Sequence, residues 1–251
     1  MYQEQRLEEI LKLLQENEVL TTEKMIEHFG VSRDTVRRDF SKLSNEGKVK
    51  RIHGGVMQLE TDKKISSFND RLDSFTISKK QIAEIANNYI QTDGTYFFDV
   101  STIVLKLAQI LDAKATIYTH SLDNSIMLSS KDNISLHLLG GKFFIKNRFF
   151  YSLNEAEILN NIKFDVAFIG AAGLKNGQVS FEDQTDAYLK QLVLKNAKRK
   201  IILAEESKFS KEATYTIGNL NDFDLLITDQ KPGSRILSMI DVKYGSDDNG
   251  Y

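Results

Sequence analysis

From Lys80 to Thr228 the sequence alternates short apolar runs with segments of helical period, and this alternation constrains the fold more than any other feature. The strand-like runs are TYFFD (95–99), ATIYT (115–119), SLHLL (135–139), DVAFIG (165–170), KIILA (200–204) and DLLIT (224–228). The helical segments before and between them are 80–89, 102–111, 121–130 and 186–200. Short apolar strands that alternate with helices form a mainly parallel sheet covered on both faces. The pattern predicts an α/β fold for residues 76–245.

The start of the chain has a different pattern, built from helices. Apolar residues recur with helical spacing from Leu7 to Leu14. Thr21 is a suitable N-cap for a second helix, which Gly30 ends. Ser32 is a suitable N-cap for a third helix, whose apolar side starts at Val36 and continues at i+4 and i+7. Two short helices joined by a turn that contains glycine predict a helix-turn-helix.

The third helix carries the stretch VSRDTVRRDF (31–40), with arginines opposite its apolar side. Residues 33–51 contain seven basic and three acidic residues, a net charge of +4, whereas residues 4–27 contain three basic and seven acidic, a net charge of −4. Residues 48–56 predict a short basic hairpin with a Gly-Gly tip, a wing beside the helix. Guanidinium groups and hydroxyls are what a major groove and its phosphates bind.

These features together predict a winged helix-turn-helix domain that binds DNA. An ordinary solvated helix face would explain the arginines alone, but not the caps, the turn and the hairpin as well. The residues predicted to contact DNA are Thr21, Ser32, Arg33, Thr35, Arg37, Arg38, Lys42, Arg51, His53 and Gly54.

Composition and charge limit the other functions. The net charge of the 251 residues is −2, so a surface for nucleic acid has to be local. There are no cysteines, which excludes disulfides and thiolate metal sites, and the four histidines lack ligand spacing. The first residues lack an apolar signal core and no apolar run approaches the ~20 residues of a membrane helix. The sequence predicts a cytoplasmic protein without a metal or a cofactor.

The predicted organisation has four parts. Residues 1–57 form the DNA-binding domain, and the polar segment 58–75 is a linker. Residues 76–245 form the α/β domain, and residues 246–251 are a disordered tail.

Polar residues follow the predicted strands of the α/β domain. Ligands of such sheets bind beyond the carboxyl ends of the strands. Any one of these residues alone is explained by a turn or a helix cap, and their shared position is what predicts a binding site. Ser101, Thr102 and Lys208 suit a phosphate and the acids suit sugar hydroxyls. The predicted effector-binding residues of this rim are Asp99, Ser101, Thr102, Ser121, Gly140, Gly141, Lys142, Glu182, Asp186 and Lys208.

The first domain resembles the DNA-binding domain of the DeoR family of bacterial transcription regulators, whose pattern is V-S-x-x-T-I/V-R-R-D-L, a glycine, then R-x-H-G-G. Phe40 stands where that pattern has leucine. The matching residues are Val31, Ser32, Thr35, Arg37, Arg38, Asp39, Arg51, His53, Gly54 and Gly55. The resemblance implies a second domain similar in fold to ribose-5-phosphate isomerase and coenzyme A transferases, which senses phosphorylated sugars. It adds Thr119 to the predicted effector site and implies a repressor of a sugar-metabolism operon.

Six residues depart from the family pattern. Ser101 and Ile103 replace a glycine and a hydroxyl residue after the first strand, and His120 replaces an asparagine. Glu205-Glu206 replaces Asp-Ser, and Asp186 stands for a glutamate. Because phosphates approach backbone N–H groups most closely at glycine, these changes predict an altered pose or an unusual effector.

Two other functions remain open at the level of the sequence. The acids and Lys208 could perform the acid–base chemistry of a sugar-phosphate isomerase, although the attached DNA-binding domain argues against an enzyme. Alternatively, the second domain only oligomerises. A homo-oligomer, dimer or tetramer, is predicted in either case, because helix-turn-helix proteins read repeated half-sites by symmetry.

Overall fold

The computed structural model describes residues 2–17, 19–58 and 77–245. The chain divides into two compact units, Met1–Lys64 and Ile65–Tyr251. The predicted linker falls outside the described residues except for Gln58, and the predicted tail falls outside them entirely.

Within residues 2–17 and 19–58, the first unit has three helices and a small antiparallel sheet with the strand order β1-β3-β2. The elements are α1 (Gln3–Glu16), β1 (Val19–Thr21), α2 (Thr22–Phe29), α3 (Arg33–Asn45), β2 (Val49–Ile52) and β3 (Gly55–Gln58). Its core includes Val36, Phe40 and Leu43, all fully buried on one side of α3. The helix-turn-helix and the wing are present as predicted.

Local rules for helix ends hold in this unit. The hydroxyl of Thr21 accepts a hydrogen bond from the Lys24 N–H, and the hydroxyl of Ser32 accepts one from the Thr35 N–H. Gly30 ends α2 in the left-handed region, at φ +63°. These contacts satisfy amide and carbonyl groups that a helix leaves unpaired at its ends.

Strand β1 was not predicted, and it explains one of the two wing glycines. Gly54 lies at the hairpin tip with φ +82°, a conformation that favours glycine. Gly55 begins β3, where an added Cβ would lie 2.2 Å from the carbonyl oxygen of Leu20 in β1. Gly55 is therefore required by the close approach of β1 to the wing.

The second unit contains a seven-stranded sheet in the order β14-β13-β11-β9-β4-β5-β6, in which every pairing is parallel. The strands of this sheet are β4 (Gly94–Phe98), β5 (Ala115–Thr119), β6 (Ile134–Leu138), β9 (Phe164–Gly170), β11 (Ala197–Leu203), β13 (Leu225–Thr228) and β14 (Val242–Tyr244). The helices are α4 (Ile77–Asn87), α5 (Thr102–Ile110), α6 (Leu122–Leu128), α7 (Leu153–Ile158), α8 (Gln184–Asn196) and α9 (Ser234–Leu237).

Both faces of the sheet are buried. Phe97 of β4 packs into one core cluster with residues of α7 and α8, whereas its neighbours Tyr96 and Phe98 pack into another with α4, α5 and α6. Successive side chains of a strand point to opposite faces. The predicted α/β class, with a parallel sheet covered on both sides, is confirmed.

One predicted helix was too long. The segment 186–200 was assigned to a helix throughout, but α8 ends at Asn196 and Ala197 begins β11. Ala197, Arg199 and Lys200 pair with β9. Lysine, arginine and alanine are good helix formers, and strand pairing overrides that preference here.

Short strands away from the main sheet escaped prediction. β7 (Lys142–Phe144) pairs with β8 (Phe149–Tyr151) as a hairpin, and β10 (Gln178–Phe181) pairs with β12 (Tyr215–Asn219). Among the described residues, no helix is long and apolar enough to span a membrane.

Candidate DNA-binding surface and candidate effector pocket

The exposed side of α3 forms an open polar surface. Arg37, Arg38, Ser41, Lys42 and Asn45 lie along it, opposite the buried apolar side. A helix that shows cations and amide or hydroxyl groups along one face has the donors that base edges and phosphates accept.

Asp39 belongs to the same helix but not to this surface. It is 1% exposed, and its Oδ2 lies 2.7 Å from Nε of Arg6 in α1. Gln3 donates a further hydrogen bond of 2.9 Å to Oδ1. Because Arg6 neutralises Asp39 inside the unit, Asp34 is the one acid that α3, described in full, exposes. The surface is therefore more positive than the sequence count indicates.

The remaining predicted DNA contacts lie around α3 or on the wing. Arg33 is exposed and pairs with Glu23 at 3.0 Å. Arg51 of β2 lies over the Phe40 ring at 5.4 Å, and His53 and Gly54 are exposed at the wing tip. Thr21 and Ser32 are occupied as helix caps, and the Ser32 hydroxyl also contacts that of Thr35 at 2.9 Å.

In the second unit, a cavity of about 200 Å³ opens beyond the carboxyl ends of β4, β9 and β11. Five predicted effector residues line it: Ser101, Thr102, Glu182, Asp186 and Lys208. The others that line it are Lys79, Val100, Ile103, Asn147, Gly170, Ala171, Ala172, Phe181, Lys190, Leu203, Ala204, Glu205, Ser207 and Lys211. A site at this edge of the sheet is where ligands of parallel α/β folds bind.

The N-terminus of α5 forms one wall of this cavity. The Ser101 hydroxyl caps the helix by accepting the Val104 N–H at 3.1 Å, and Thr102 is buried beside it. Gly170, at the end of β9, faces this wall: an added Cβ would lie 2.4 Å from the Ser101 Cβ. Helix N-termini favour anions through their N–H groups and dipole.

A buried charged cluster adjoins the cavity, and we call Asp99, His120, Asp186 and Lys190 the quartet. Two of its members, Asp186 and Lys190, line the cavity. The Lys190 Nζ lies 2.7 Å from Asp186 Oδ2 and 3.1 Å from Asp99 Oδ1. The His120 Nε2 lies 2.9 Å from Asp186 Oδ1. Lys190 also lies over the Phe181 ring, 3.6 Å from its centroid. Each member is at most 5% exposed, so these charges are held by one another rather than by bulk solvent.

The pKa values of the two carboxyl groups in the quartet are shifted in opposite directions. Burial raises the pKa of Asp99 above its ordinary value, against the attraction of Lys190. Burial acts the same way on Asp186, but the Lys190 charge and the His120 hydrogen bond outweigh it and lower the pKa of that carboxyl. Asp99 also accepts hydrogen bonds from the Val100 and Gly170 amides, at 2.6 and 2.8 Å.

Three members of the quartet have ligand types that a metal could use. Donor atoms of Asp99, His120 and Asp186 lie within 4.8 Å of one another. The Lys190 ammonium already contacts both carboxylates, however, and acts as their counter-ion.

Several predicted effector residues have structural contacts instead of a place on the cavity wall. The Thr119 hydroxyl donates to the Phe98 carbonyl at 2.6 Å, and the Ser121 hydroxyl caps α6. Gly140, Gly141 and Lys142 lead into the β7–β8 hairpin, where an added Cβ on Gly141 would lie 2.4 Å from the Tyr151 carbonyl oxygen. Asp99 does not line the cavity, but it contacts two residues that do, Gly170 and Lys190.

Sequence reasoning missed Lys190, Lys79, Lys211 and Asn147. Lys190 had a local signal, because it lies four residues after Asp186 on one helix face. Lys79 is 3% exposed, and its Nζ lies 4.0 Å from Oε2 of Glu205. Asn147 enters from the unpredicted β7–β8 hairpin, so no local pattern indicated it.

A helix-turn-helix unit with a basic exposed side on α3, followed by a parallel α/β unit with a polar cavity, is the arrangement of a two-domain transcription regulator. The DeoR-like helix-turn-helix domain profile matches residues 6–62, and that of the DeoR C-terminal sensor domain matches residues 75–230. The chain belongs to the DeoR family of transcriptional regulators.

Curated relatives span nearly the whole chain. The HTH-type transcriptional repressor GlcR of Bacillus subtilis is 34% identical, over 96% of this chain and 94% of its own length. The regulator GolR of Listeria innocua is 30% identical, over 92% of each chain. The glycerol-3-phosphate regulon repressor of Escherichia coli is 26% identical, over 96% of each chain.

Solved structures match only part of the chain. Ribose-5-phosphate isomerase A of Methanocaldococcus jannaschii is 15% identical with a TM-score of 0.39, covering 56% of this chain and 55% of its own. eIF2B beta of Chaetomium thermophilum is 15% identical with a TM-score of 0.41, covering 63% of this chain and 50% of its own. The chain thus spans about half the length of these two structures.

Proposed function

We propose that this protein represses a sugar-metabolism operon and that a phosphorylated sugar in the second unit controls its affinity for operator DNA. The observation that carries the proposal is the presence, in one chain, of an exposed basic face on α3 and a lysine-lined cavity at the start of α5. Family membership and the names of the relatives support it: one is a repressor of a glycerol-3-phosphate regulon.

In this proposal α3 enters the major groove and the wing lies beside it. Arg37, Arg38 and Lys42 reach base edges and phosphates, while Arg51 and His53 reach the backbone from β2 and the tip. The capping hydroxyls Thr21 and Ser32, with Arg33, Thr35 and Gly54, complete the proposed contacts near the ends of α2 and α3 and at the wing.

The effector places its phosphate at the N-terminus of α5 and its hydroxyls toward the acids. Ser101, Thr102 and Lys208 surround the phosphate position, and Glu182 and Asp186 accept hydrogen bonds from hydroxyls. Asp99 acts through its contacts with Gly170 and Lys190. Thr119 contacts β4 and Ser121 caps α6, while the segment Gly140, Gly141 and Lys142 leads into the hairpin that carries Asn147 to the cavity.

Control of DNA binding requires the effector to favour one arrangement of the protein over another. An effector that lowers operator affinity must itself bind less tightly to the DNA-bound protein by the same factor. We propose release rather than tightening, because the named relatives include repressors.

Fluorescence anisotropy with a labelled duplex from the promoter of the protein's own gene tests this function. We expect salt-dependent binding and release by one member of a panel of pentose, hexose and triose phosphates, but not by the same sugars without phosphate. Release by none of them contradicts the sensor role, and absence of duplex binding contradicts the regulator role.

We infer that the second unit binds its ligand without turnover, and that the protein is a cytoplasmic homo-oligomer. The alternative of an isomerase has one favourable observation, the buried acid–base quartet. Incubation of the full chain with pentose and hexose phosphates separates a sensor from an isomerase, since conversion of any of these sugars contradicts our inference.

Calorimetry with the same panel separates a sensor from a unit that only oligomerises, because only a sensor binds one of the sugars. Sedimentation tests whether the protein is more than a monomer.

A further inference from the structure

We propose that Asp34 determines part of the base preference of the first unit: its carboxylate accepts a hydrogen bond from the N4 amino group of a cytosine in the major groove. This inference rests on the proposed function, because it assigns one base contact to the surface of α3 that the proposed function places on DNA.

Asp34 lies at the start of that surface. It is the second residue of α3, it is exposed, and it lines the open polar surface together with Arg37 and Arg38. The two arginines follow it at i+3 and i+4, so the three side chains lie on one side of the helix. The N-terminal residues of a recognition helix are the ones that contact base edges. A side chain as short as aspartate can therefore reach a base from this position.

Two other acids beside the surface are each paired with a cation. Glu23 of α2 lies 3.0 Å from Arg33, and Glu46, directly after α3, lies 2.7 Å from Lys48. Within the part of the chain that the structure describes, the carboxylate of Asp34 makes no ion pair and no hydrogen bond. Its negative charge therefore faces whatever binds to this surface.

An unpaired carboxylate on a face that binds DNA limits which base can lie opposite it. The phosphates repel it, so it weakens binding to every duplex unless a hydrogen-bond donor compensates. In the major groove, guanine and thymine present acceptors and no donor. Adenine presents a donor beside the N7 acceptor, whereas cytosine presents its N4 amino donor alone. A carboxylate only accepts hydrogen bonds, so cytosine is the base that fits it best.

A purely structural role for Asp34 makes a different prediction. An acid in the first turn of a helix interacts favourably with the N–H groups and the dipole at that end. Such a role changes the free energy of unfolding, but it does not depend on the sequence of the DNA. A measurement of base preference therefore separates the two roles.

Selection from a randomised duplex library by the full-length protein tests the inference. We expect the wild type to favour cytosine about tenfold at one position that the selected sites share, and Asp34→Ala to lose the preference at that position alone. Because Asp34→Ala also removes a negative charge, it should bind a duplex of unrelated sequence more tightly than the wild type does. Glu8→Ala removes the same charge from an exposed position of α1 and is the matched control, whose base preference should be that of the wild type.

A modified base tests the hydrogen bond itself. N4-methylcytosine keeps its pairing with guanine but carries a methyl group in place of the N4 hydrogen that faces the major groove. At the selected position it should weaken binding by the wild type about tenfold in the anisotropy assay and leave binding by Asp34→Ala unchanged. Thermal unfolding of Asp34→Ala shows that the variant is folded.

Three outcomes contradict the proposal. If Asp34→Ala selects the same bases as the wild type, or if N4-methylcytosine weakens both proteins equally, Asp34 does not read cytosine, and the arginine contacts of α3 are unaffected. If Asp34→Ala loses a preference for a base other than cytosine, the choice of base is wrong. If Arg37→Ala and Arg38→Ala also keep the affinity and the selected sites of the wild type, α3 is not the reading helix, and the proposed DNA contacts are overturned together with this inference.

Discussion

The two units handle charge in opposite ways. The first exposes its cations along α3 and buries one ion pair, Arg6–Asp39, behind them. The second buries Asp99, Asp186 and Lys190 beneath its cavity. Exposed cations bind a polyanion without strict geometry, whereas buried charges are tolerated only when they are paired in a fixed arrangement. The difference suits the proposed functions, which are the binding of a DNA groove by one unit and of a small ligand by the other.

The largest expected effect is a loss of stability in the second unit. Lys190→Met leaves two buried carboxylates without their counter-ion, and we expect a loss of about 3–5 kcal/mol in the free energy of unfolding. Urea denaturation measures it. Lys198→Met is the matched control, because Lys198 pairs with Asp165 at 2.8 Å on the surface; little change is expected there. Equal effects of the two variants would mean that burial of the quartet is unimportant.

The corresponding change in the first unit should lower the free energy of unfolding by less. Asp39→Asn keeps the shape but removes the negative charge that the Arg6 guanidinium contacts, and we expect a loss of about 2–3 kcal/mol in the free energy of unfolding. Circular dichroism of the full-length protein during urea unfolding measures it. Asp34→Asn, on the exposed side of the same helix, is the control. A stable Asp39→Asn variant would contradict the structural role of this pair.

The third prediction concerns binding rather than stability. Arg37→Ala and Arg38→Ala should each weaken operator binding by about 1–3 kcal/mol if they contact base edges, with little effect on unfolding. Lys12→Ala, a cation lost from α1, is the control in the anisotropy assay. Unchanged affinity in both arginine variants would mean that another surface reads the DNA.

The smallest effect tests a helix cap. Ser32→Ala removes the acceptor of the Thr35 N–H and should lower the free energy of unfolding by about 1 kcal/mol. Ser32→Gly should lower the free energy of unfolding by only a few tenths of a kcal/mol, because glycine is tolerated at an N-cap. If both variants are as stable as the wild type, the cap contributes nothing measurable.

What the sequence could predict depended on how far apart the interacting residues lie in the chain. Ser32, Gly30 and the apolar side of α3 obey rules that operate within one turn, so the helix-turn-helix was predictable in detail. Six of the seven strands of the parallel sheet were predictable, because short apolar runs that alternate with helical segments favour strands. The edge strand β14 was not predicted, since Val242–Tyr244 includes a lysine and is only three residues long. The end of α8 was not, since Ala197 joins β11 by pairing with Phe164 far away in the sequence.

The residues of the candidate site follow the same rule: those with local signals were predictable, and those joined by distant contacts were not. Ser101 and Thr102 come shortly after a predicted strand, and this position correctly predicted that they line the cavity. The sequence indicated His120 as a departure from the family pattern and Asp186 as an effector-binding residue, but no local pattern joined the two. Their contact at 2.9 Å joins β5 to α8, and tertiary packing alone reveals it.

Strand β1 has a consequence for how the first unit approaches a duplex. Thr21 ends β1 and caps α2, the Thr22 amide donates to the Gly54 carbonyl at 2.8 Å, and Gly55 fits against Leu20. The wing is thereby latched to the helix that precedes the reading helix. If α3 and the wing bind a duplex as proposed, their relative orientation is fixed before binding, so binding costs little conformational entropy.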